Sequence, residues 1–361
     1  MSWNPMVDPQ VFESAGHCEQ KSEQEIEQIR QFEQEAAQYL GADYAEFCSG
    51  EHDSLAMVLA VAGISSGDEI ITTPFASIVT TEAILEAGAT PVFVDIEPET
   101  FNLNPQYLNA ALSEKTKAIL VVHQFGLPAR ILEIQEFCQT YNLTLIEDSS
   151  QSLGAEIAGI KTGCFGDFGC FRFCSGENEL RGSGAGLVIT NSDKNRVKLQ
   201  QSRTPDTTNS CQNKVGNDNN YMDERKASQY RFLLKYLDEN NRRRLNVAHY
   251  YNEALSGQEL LLPFGDGHIF SQYMIQVDDC DYLKNRLNSA GIVQDVHYPA
   301  ALHHPAFRNR KYRTVGELFA AETASKHCLS LPIYSGMPEA DCRRVVSVIK
   351  EVLGQTLMVE V

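Results

Sequence analysis

The sequence predicts an α/β protein: a large domain with a mostly parallel sheet between helices over residues 1–240, then a smaller C-terminal α/β domain over 241–361. Two observations carry that prediction. Short runs that are nearly all apolar alternate with helical stretches from residue 24 onwards, the pattern of strands covered by helices on both faces. A chain of 361 residues is also long enough for one large domain and one smaller one.

The elements follow in order. Residues 24–40 place Ile26, Ile29, Phe32, Ala36, Ala37 and Leu40 at helical spacing, and Gly41 ends the run. Strands are expected at 44–48, 69–72, 91–94, 118–123 and 144–147, with helices at 54–62, 77–86, near 105–112 and at 131–141. Residues 168–173 and 187–190 complete the sheet. Residues 202–222, rich in Asn, Asp and Thr and without periodicity, read as a long loop. Helix resumes over 223–255. The second unit has strand candidates at 273–277 and 293–296 and closing helices at 318–327 and 339–353.

Composition narrows the function classes. A net charge of −18 argues against nucleic-acid binding, which needs clustered Lys and Arg. The basic cluster Arg242-Arg243-Arg244 follows Asp238-Glu239 and reads as a solvated helix face or an oligomer contact. No apolar run is long enough to span a bilayer, and the N-terminus lacks a signal-peptide pattern. The ten cysteines have no Cys-x-x-Cys spacing, which points to reduced thiols in a cytoplasmic protein. Cys164, Cys170 and Cys174 fit no standard zinc pattern and read as buried structural thiols, so no metal is expected.

Several stretches are specific: His123-Gln124-Phe125-Gly126-Leu127-Pro128, Ile146-Glu147-Asp148-Ser149-Ser150-Gln151, Phe165-Gly166-Asp167, Phe171-Arg172-Phe173, the Gly-rich run 182–186, and Leu329-Ser330-Leu331-Pro332. Together they resemble the sugar aminotransferases of the DegT/DnrJ/StrS type, which are fold-type I pyridoxal-phosphate (PLP) enzymes. The resemblance extends from about Phe32 to Leu353 and implies a homodimer with active sites at the subunit interface. The segment from Tyr298 through His303 and His304 to Phe307 is similar to the substrate-side motif of the branch acting on nucleotide-linked keto-sugars.

PLP chemistry requires a carboxylate at the pyridinium nitrogen, so that the ring can act as an electron sink. The resemblance assigns that place to Asp148, with Gln151 beside the ring's phenolic oxygen; otherwise Asp148 caps the next segment. The phosphate requires backbone N–H groups at a helix start together with hydroxyl donors. The family's Ser-Gly-Thr is here Ser49-Gly50-Glu51. Glu51 either repels a phosphate or forms a solvated acidic helix start. The ring-stacking aromatic is replaced by Ser77. Asn219 matches an interface asparagine that reaches the neighbouring subunit's phosphate. His303 and His304 either contact a sugar diphosphate or form an exposed loop pair.

The Schiff-base lysine, fourth after the Phe-x-Phe element, corresponds to Glu177, and no lysine occurs between Thr162 and Asp193. Glutamate has no nitrogen with which to form an aldimine, although a carboxylate can act as a general base. Arg172 replaces the serine of Phe-Ser-Phe. Strand alternation aims it at the cofactor pocket, where it either pairs with Glu177, Glu51 or Asp148 or anchors a phosphate.

These departures lead to the expectation of a non-transaminating binding, scaffolding or partner protein in sugar or secondary-metabolite biosynthesis, without covalent PLP. It would form a homodimer or pair with an active paralogue, and would take a nucleotide sugar as ligand. The alternative is an enzyme of altered chemistry on a nucleotide-linked keto-sugar, with PLP or pyridoxamine phosphate (PMP) held non-covalently or with no cofactor. A conventional aminotransferase is the third reading.

Overall fold

The structure, a computed structural model, describes residues 23–48, 53–173, 185–203, 224–294, 298 and 310–359. Helix α1 (Glu23–Leu40) leads into β1 (Tyr44–Cys48). There follow α2 (Asp53–Val61), β2 (Glu69–Thr72), α3 (Ile78–Glu86), β3 (Thr90–Phe93), α4 (Leu108–Ala111) and β4 (Thr116–Val122). Next come α5 (Ile131–Tyr141), β5 (Thr144–Asp148), the short hairpin β6 (Glu156–Ile157) and β7 (Ile160–Lys161), then β8 (Phe168–Phe173) and β9 (Ala185–Thr190). Helices α6 (Asp193–Arg203) and α7 (Glu224–Leu255) precede β10 (Tyr273–Gln276), α8 (Cys280–Ser289), β11 (Arg313–Thr314), α9 (Phe319–His327), β12 (Cys328–Leu331) and α10 (Glu339–Val359).

The main sheet has eight strands in the order β1-β9-β8-β5-β4-β2-β3-β11. Pairings from β8 through β5, β4, β2 and β3 to β11 are parallel, whereas β9 is antiparallel to both β8 and β1. Side-chain alternation divides the strands between two cores. Ala118, Leu120, Val122, Ile146, Phe168 and Cys170 pack against α2 and α3 on one face. On the other, Ile119, Val121 and Leu145 pack against α4 and α5, while Phe171, Leu187 and Ile189 pack against α1 and α7. Burial on both faces is the reason these strands read as continuous apolar runs.

A second core is built on β10, β12, α8, α10 and the C-terminal half of α7. At 1.5 Å per residue α7 is about 48 Å long. It passes unbroken through residue 240: Ala227, Tyr230 and Leu237 belong to the large core, Ala248, Tyr251 and Leu255 to the smaller one. The expected boundary therefore falls inside a helix shared by both units. Nor does the chain after 241 stay in the smaller unit, because β11 joins β3 at the edge of the main sheet.

Several expectations need correction. Helix α6 was not anticipated and takes in positions 202 and 203 of the expected loop; positions 204–222, the rest of that loop, lie outside the described residues. Of the strand expected at 293–296, Val293 and Gln294 form none and positions 295 and 296 lie outside the described residues; β10 pairs antiparallel with β12. In the basic cluster, Arg242 and Arg243 lie exposed beside Glu239, but Arg244 turns inward and is buried against Asn241. Each helical residue advances by about 100°, so three consecutive arginines cannot share one face. Among the described residues, no helix is long and apolar enough to cross a membrane.

Candidate functional site

The candidate site lies where β5 ends beside β8, at the carboxyl edge of the parallel strands, a common ligand position in α/β sheets. Glu147 and Asp148, the last two residues of β5, are completely buried and face opposite ways. Glu147 organises the approach to β8. Its Oε1 accepts from the backbone N–H groups of Phe165 (2.8 Å) and Gly166 (2.7 Å), and its Oε2 accepts from Gly163 N–H (2.9 Å). His123 Nε2 lies 2.9 Å from Oε2, and His123 Nδ1 accepts from Ala129 N–H at 3.0 Å, so the ring carries its proton on Nε2. These bonds hold the 163–166 turn and with it the register of Ile146, Glu147 and Asp148 against Phe168, Gly169 and Cys170.

Asp148 faces the α3 side. Its Oδ1 accepts from Ser150 N–H (3.2 Å) and Ser150 Oγ–H (2.5 Å), and its Oδ2 accepts from Thr80 Oγ–H of α3 (3.1 Å) and from Arg172 Nη2 (2.9 Å). Arg172 is two residues beyond Cys170, the register partner of Asp148, and is only 5% exposed. Its Nε and its backbone N–H both donate to Ser150 Oγ, at 3.2 and 2.9 Å. A guanidinium, a carboxylate and a hydroxyl thus form one buried network. The strand phase expected of Arg172 is observed, and of the carboxylates considered for it, Asp148 is a partner. Asp148 also caps the following turn through Ser150, the second of the two roles considered for it.

Gln151 is likewise engaged by the protein. Its Oε1 accepts from Phe125 N–H at 2.7 Å, and its Nε2 donates to the Tyr298 hydroxyl at 2.5 Å. Tyr298 stacks on Phe125 at 6.1 Å and meets Phe75 edge-on at 5.6 Å. Phe75 is fully buried in this aromatic cluster. Ser77 is the N-cap residue of α3 and makes no side-chain cap bond, so that position offers a small hydroxyl and no aromatic face.

These residues do not fit a PLP ring at Asp148. A carboxylate offers about four lone-pair positions, and each Asp148 oxygen already takes two donors. A pyridinium would bring a second cation beside the guanidinium; two unit charges about 4 Å apart repel by roughly 4 kcal/mol at an effective dielectric near 20.

The thiols of the region are poor nucleophiles. Burial pushes the Cys170 thiol well above its ordinary value, and the nearby Asp148 charge adds to this. Burial likewise pushes Cys164 up to about 12, and its Sγ–H points to the Leu40 carbonyl oxygen at 3.3 Å. No group of His, Cys, Asp and Glu among the described residues could hold a metal ion.

Of the positions singled out from the sequence, Asp148 and Arg172 share one network, and Gln151 and Tyr298 share another. Gly50, Glu51, Glu177, Asn219, His303 and His304 lie outside the described residues, as does Cys174. Sequence reasoning missed Thr80 and Ser150 as partners. Ser150 carried a signal, since Asp followed two residues on by Ser is a common turn arrangement; Thr80 comes from a distant helix and carried none.

Comparison with known proteins agrees with this architecture. The sequence pattern of the DegT/DnrJ/EryC1/StrS aminotransferase family matches residues 17–350. The chain is 33% identical to a UDP-N-acetyl-3-dehydro-alpha-D-glucosamine 3-aminotransferase of Acidithiobacillus ferrooxidans, covering 90% of this chain and 89% of that one. It is 34% identical to a protein of Geobacillus stearothermophilus named as a pleiotropic regulatory protein, with 90% and 88% covered. A crystal structure of a DegT DnrJ EryC1 StrS aminotransferase from Brucella abortus superimposes with a TM-score of 0.84 at 27% identity, covering 91% of this chain and 90% of that one.

Proposed function

Because the chain belongs to the DegT/DnrJ/EryC1/StrS aminotransferase family, we propose that it is a non-transaminating member: a nucleotide-sugar-binding or partner protein in sugar or secondary-metabolite biosynthesis. The observation that carries this reading is the buried Arg172–Asp148 pair. In PLP chemistry the ring nitrogen needs its own carboxylate, and here that carboxylate neutralises a protein side chain. The Glu177 alignment points the same way, since the segment from 162 to 193 has no amine-bearing lysine.

The ligand class follows from relatives named as nucleotide-sugar aminotransferases. Tyr298, held by Gln151 and stacked on Phe125, supplies an aromatic and hydroxyl surface suited to a sugar. Family membership alone does not fix the activity: one relative is named as an enzyme, another as a regulatory protein. The protein acts as a homodimer or beside an active paralogue. The altered-enzyme alternative, with PMP held non-covalently, is disfavoured by the same saturated carboxylate.

The test combines two measurements on the purified protein. Incubation with PLP and borohydride, followed by mass spectrometry, should give no pyridoxyl adduct within residues 162–193. Incubation with a UDP-linked 3-keto sugar, glutamate and PLP should give no amino sugar. An adduct in that segment, or amine transfer, overturns the proposal.

A further inference from the structure

We infer that Arg172 is an internal substitute for the cofactor's cationic ring: its guanidinium supplies the positive charge that Asp148 requires, so the protein is electrostatically complete without PLP and resists it. This deepens the non-transaminating reading and rests on it. The argument starts from burial. Asp148 is fully buried at the end of a central strand, and a buried carboxylate without a cation is strongly destabilising. A fold that depended on a bound cation for this balance would be stabilised by that ligand through mass action. Here the balancing charge arrives on β8, one strand away, carried by the chain itself.

The geometry makes the substitution a closed one. The Ser150 hydroxyl donates to Asp148 and accepts from both the Nε and the backbone N–H of Arg172, so it couples the pair in one arrangement. Thr80 closes the same Asp148 oxygen from the α3 side. An entering ring cation must therefore displace a guanidinium that is 5% exposed and held through two different nitrogen atoms, Nε and Nη2. A rim arginine could swing into solvent; this one would have to break the Ser150 and Asp148 bonds together.

The experiment uses the full-length protein with PMP as probe, since PMP needs no lysine. Equilibrium dialysis and thermal unfolding are measured for wild type, Arg172→Ser, Arg172→Met and Arg172→Ser/Asp148→Asn. Wild type should show no rise in Tm with PMP. Each single arginine variant should unfold at lower temperature than wild type, bind PMP at least about tenfold more tightly, and regain Tm when PMP is added. The gain should vanish in the double variant, because the ring would have lost its carboxylate. Arg172→Met keeps an apolar stem and serves if the serine variant does not fold. Wild-type Tm, measured alone, remains decisive if neither folds: a clear rise with PMP overturns the inference, as does wild-type affinity equal to that of the variants, absence of any gain in a folded variant, or a gain that survives loss of Asp148. These outcomes are separate from amine transfer or borohydride trapping, which test the non-transaminating reading itself.

Discussion

At the scale of one residue, Arg172 is held by Asp148 and Ser150 in a buried network. Removing Arg172 alone leaves Asp148 buried without its guanidinium partner, with Thr80 and Ser150 as its remaining described side-chain donors. Breaking a buried pair in this way costs about 3–5 kcal/mol. Arg172→Ala should therefore lower the urea midpoint strongly, whereas Arg242→Ala, whose partner Glu239 is on an exposed helix face, should change stability by less than about 1 kcal/mol. A second residue-scale prediction concerns His268, buried and stacked on Phe270 at 3.8 Å, its Nδ1 accepting from Phe270 N–H at 3.0 Å. Burial holds its imidazole down at about 3, from an ordinary value of 6.5. Between those values the unfolded chain binds a proton that the folded protein does not, so the contribution to stability is present above pH 6.5 and falls as the pH drops towards 3. His268→Asn keeps an acceptor without the titration. Denaturant unfolding at pH 6.5 and pH 5 should show wild type losing about 2 kcal/mol more than this variant over that interval; equal losses would contradict it.

At the scale of elements, the site depends on how closely β8 approaches the turn before it. A Cβ on Gly169 would meet the Gly163 carbonyl oxygen at 2.3 Å and the Gly163 Cα at 2.7 Å, both backbone atoms that cannot swing aside. Gly169→Ala should therefore cost about 1–3 kcal/mol as an overpacking change and lower Tm; an unchanged Tm would show that the turn can yield. Elements with strong local signals were legible in the sequence. The buried strands β1, β2 and β8 match their expected spans because short, largely apolar runs between polar turns specify them. Helix α6 was missed because its sequence, Asp193 to Arg203, is almost wholly polar and is stabilised by a few contacts, including Leu199 in the large core. Nothing in the sequence signals that β10 finds its pairing partner in β12, far along the chain. Pairing is a tertiary event, and local composition does not report it.

For the whole molecule, the scaffold is that of the family. The chain retains the family fold across its large sheet, while the groups a PLP ring would need are spread over β5, β8 and the start of α3. On the proposed non-transaminating reading, changing one position does not create transaminase activity. Glu177→Lys alone should give no robust amine transfer in an assay with a keto-sugar nucleotide and glutamate, because Arg172 still occupies Asp148 and Ser77 offers no ring to stack on. Robust activity in that single variant would show that the remaining pocket is intact.

The sequence by itself determined the fold class, most element positions and the family, because hydrophobic periodicity and motif spacing are local and survive as a linear record. It also determined that Arg172 would point away from the side taken by Phe171, since strand alternation has a period of two. Only the tertiary structure decided which carboxylate Arg172 meets, that Thr80 and Ser150 complete the set of donors, that Gln151 bridges Phe125 and Tyr298, and that α7 serves two cores. Those choices depend on distances between residues far apart in the chain, with burial then making each unsatisfied charge or hydrogen bond costly enough to select one arrangement.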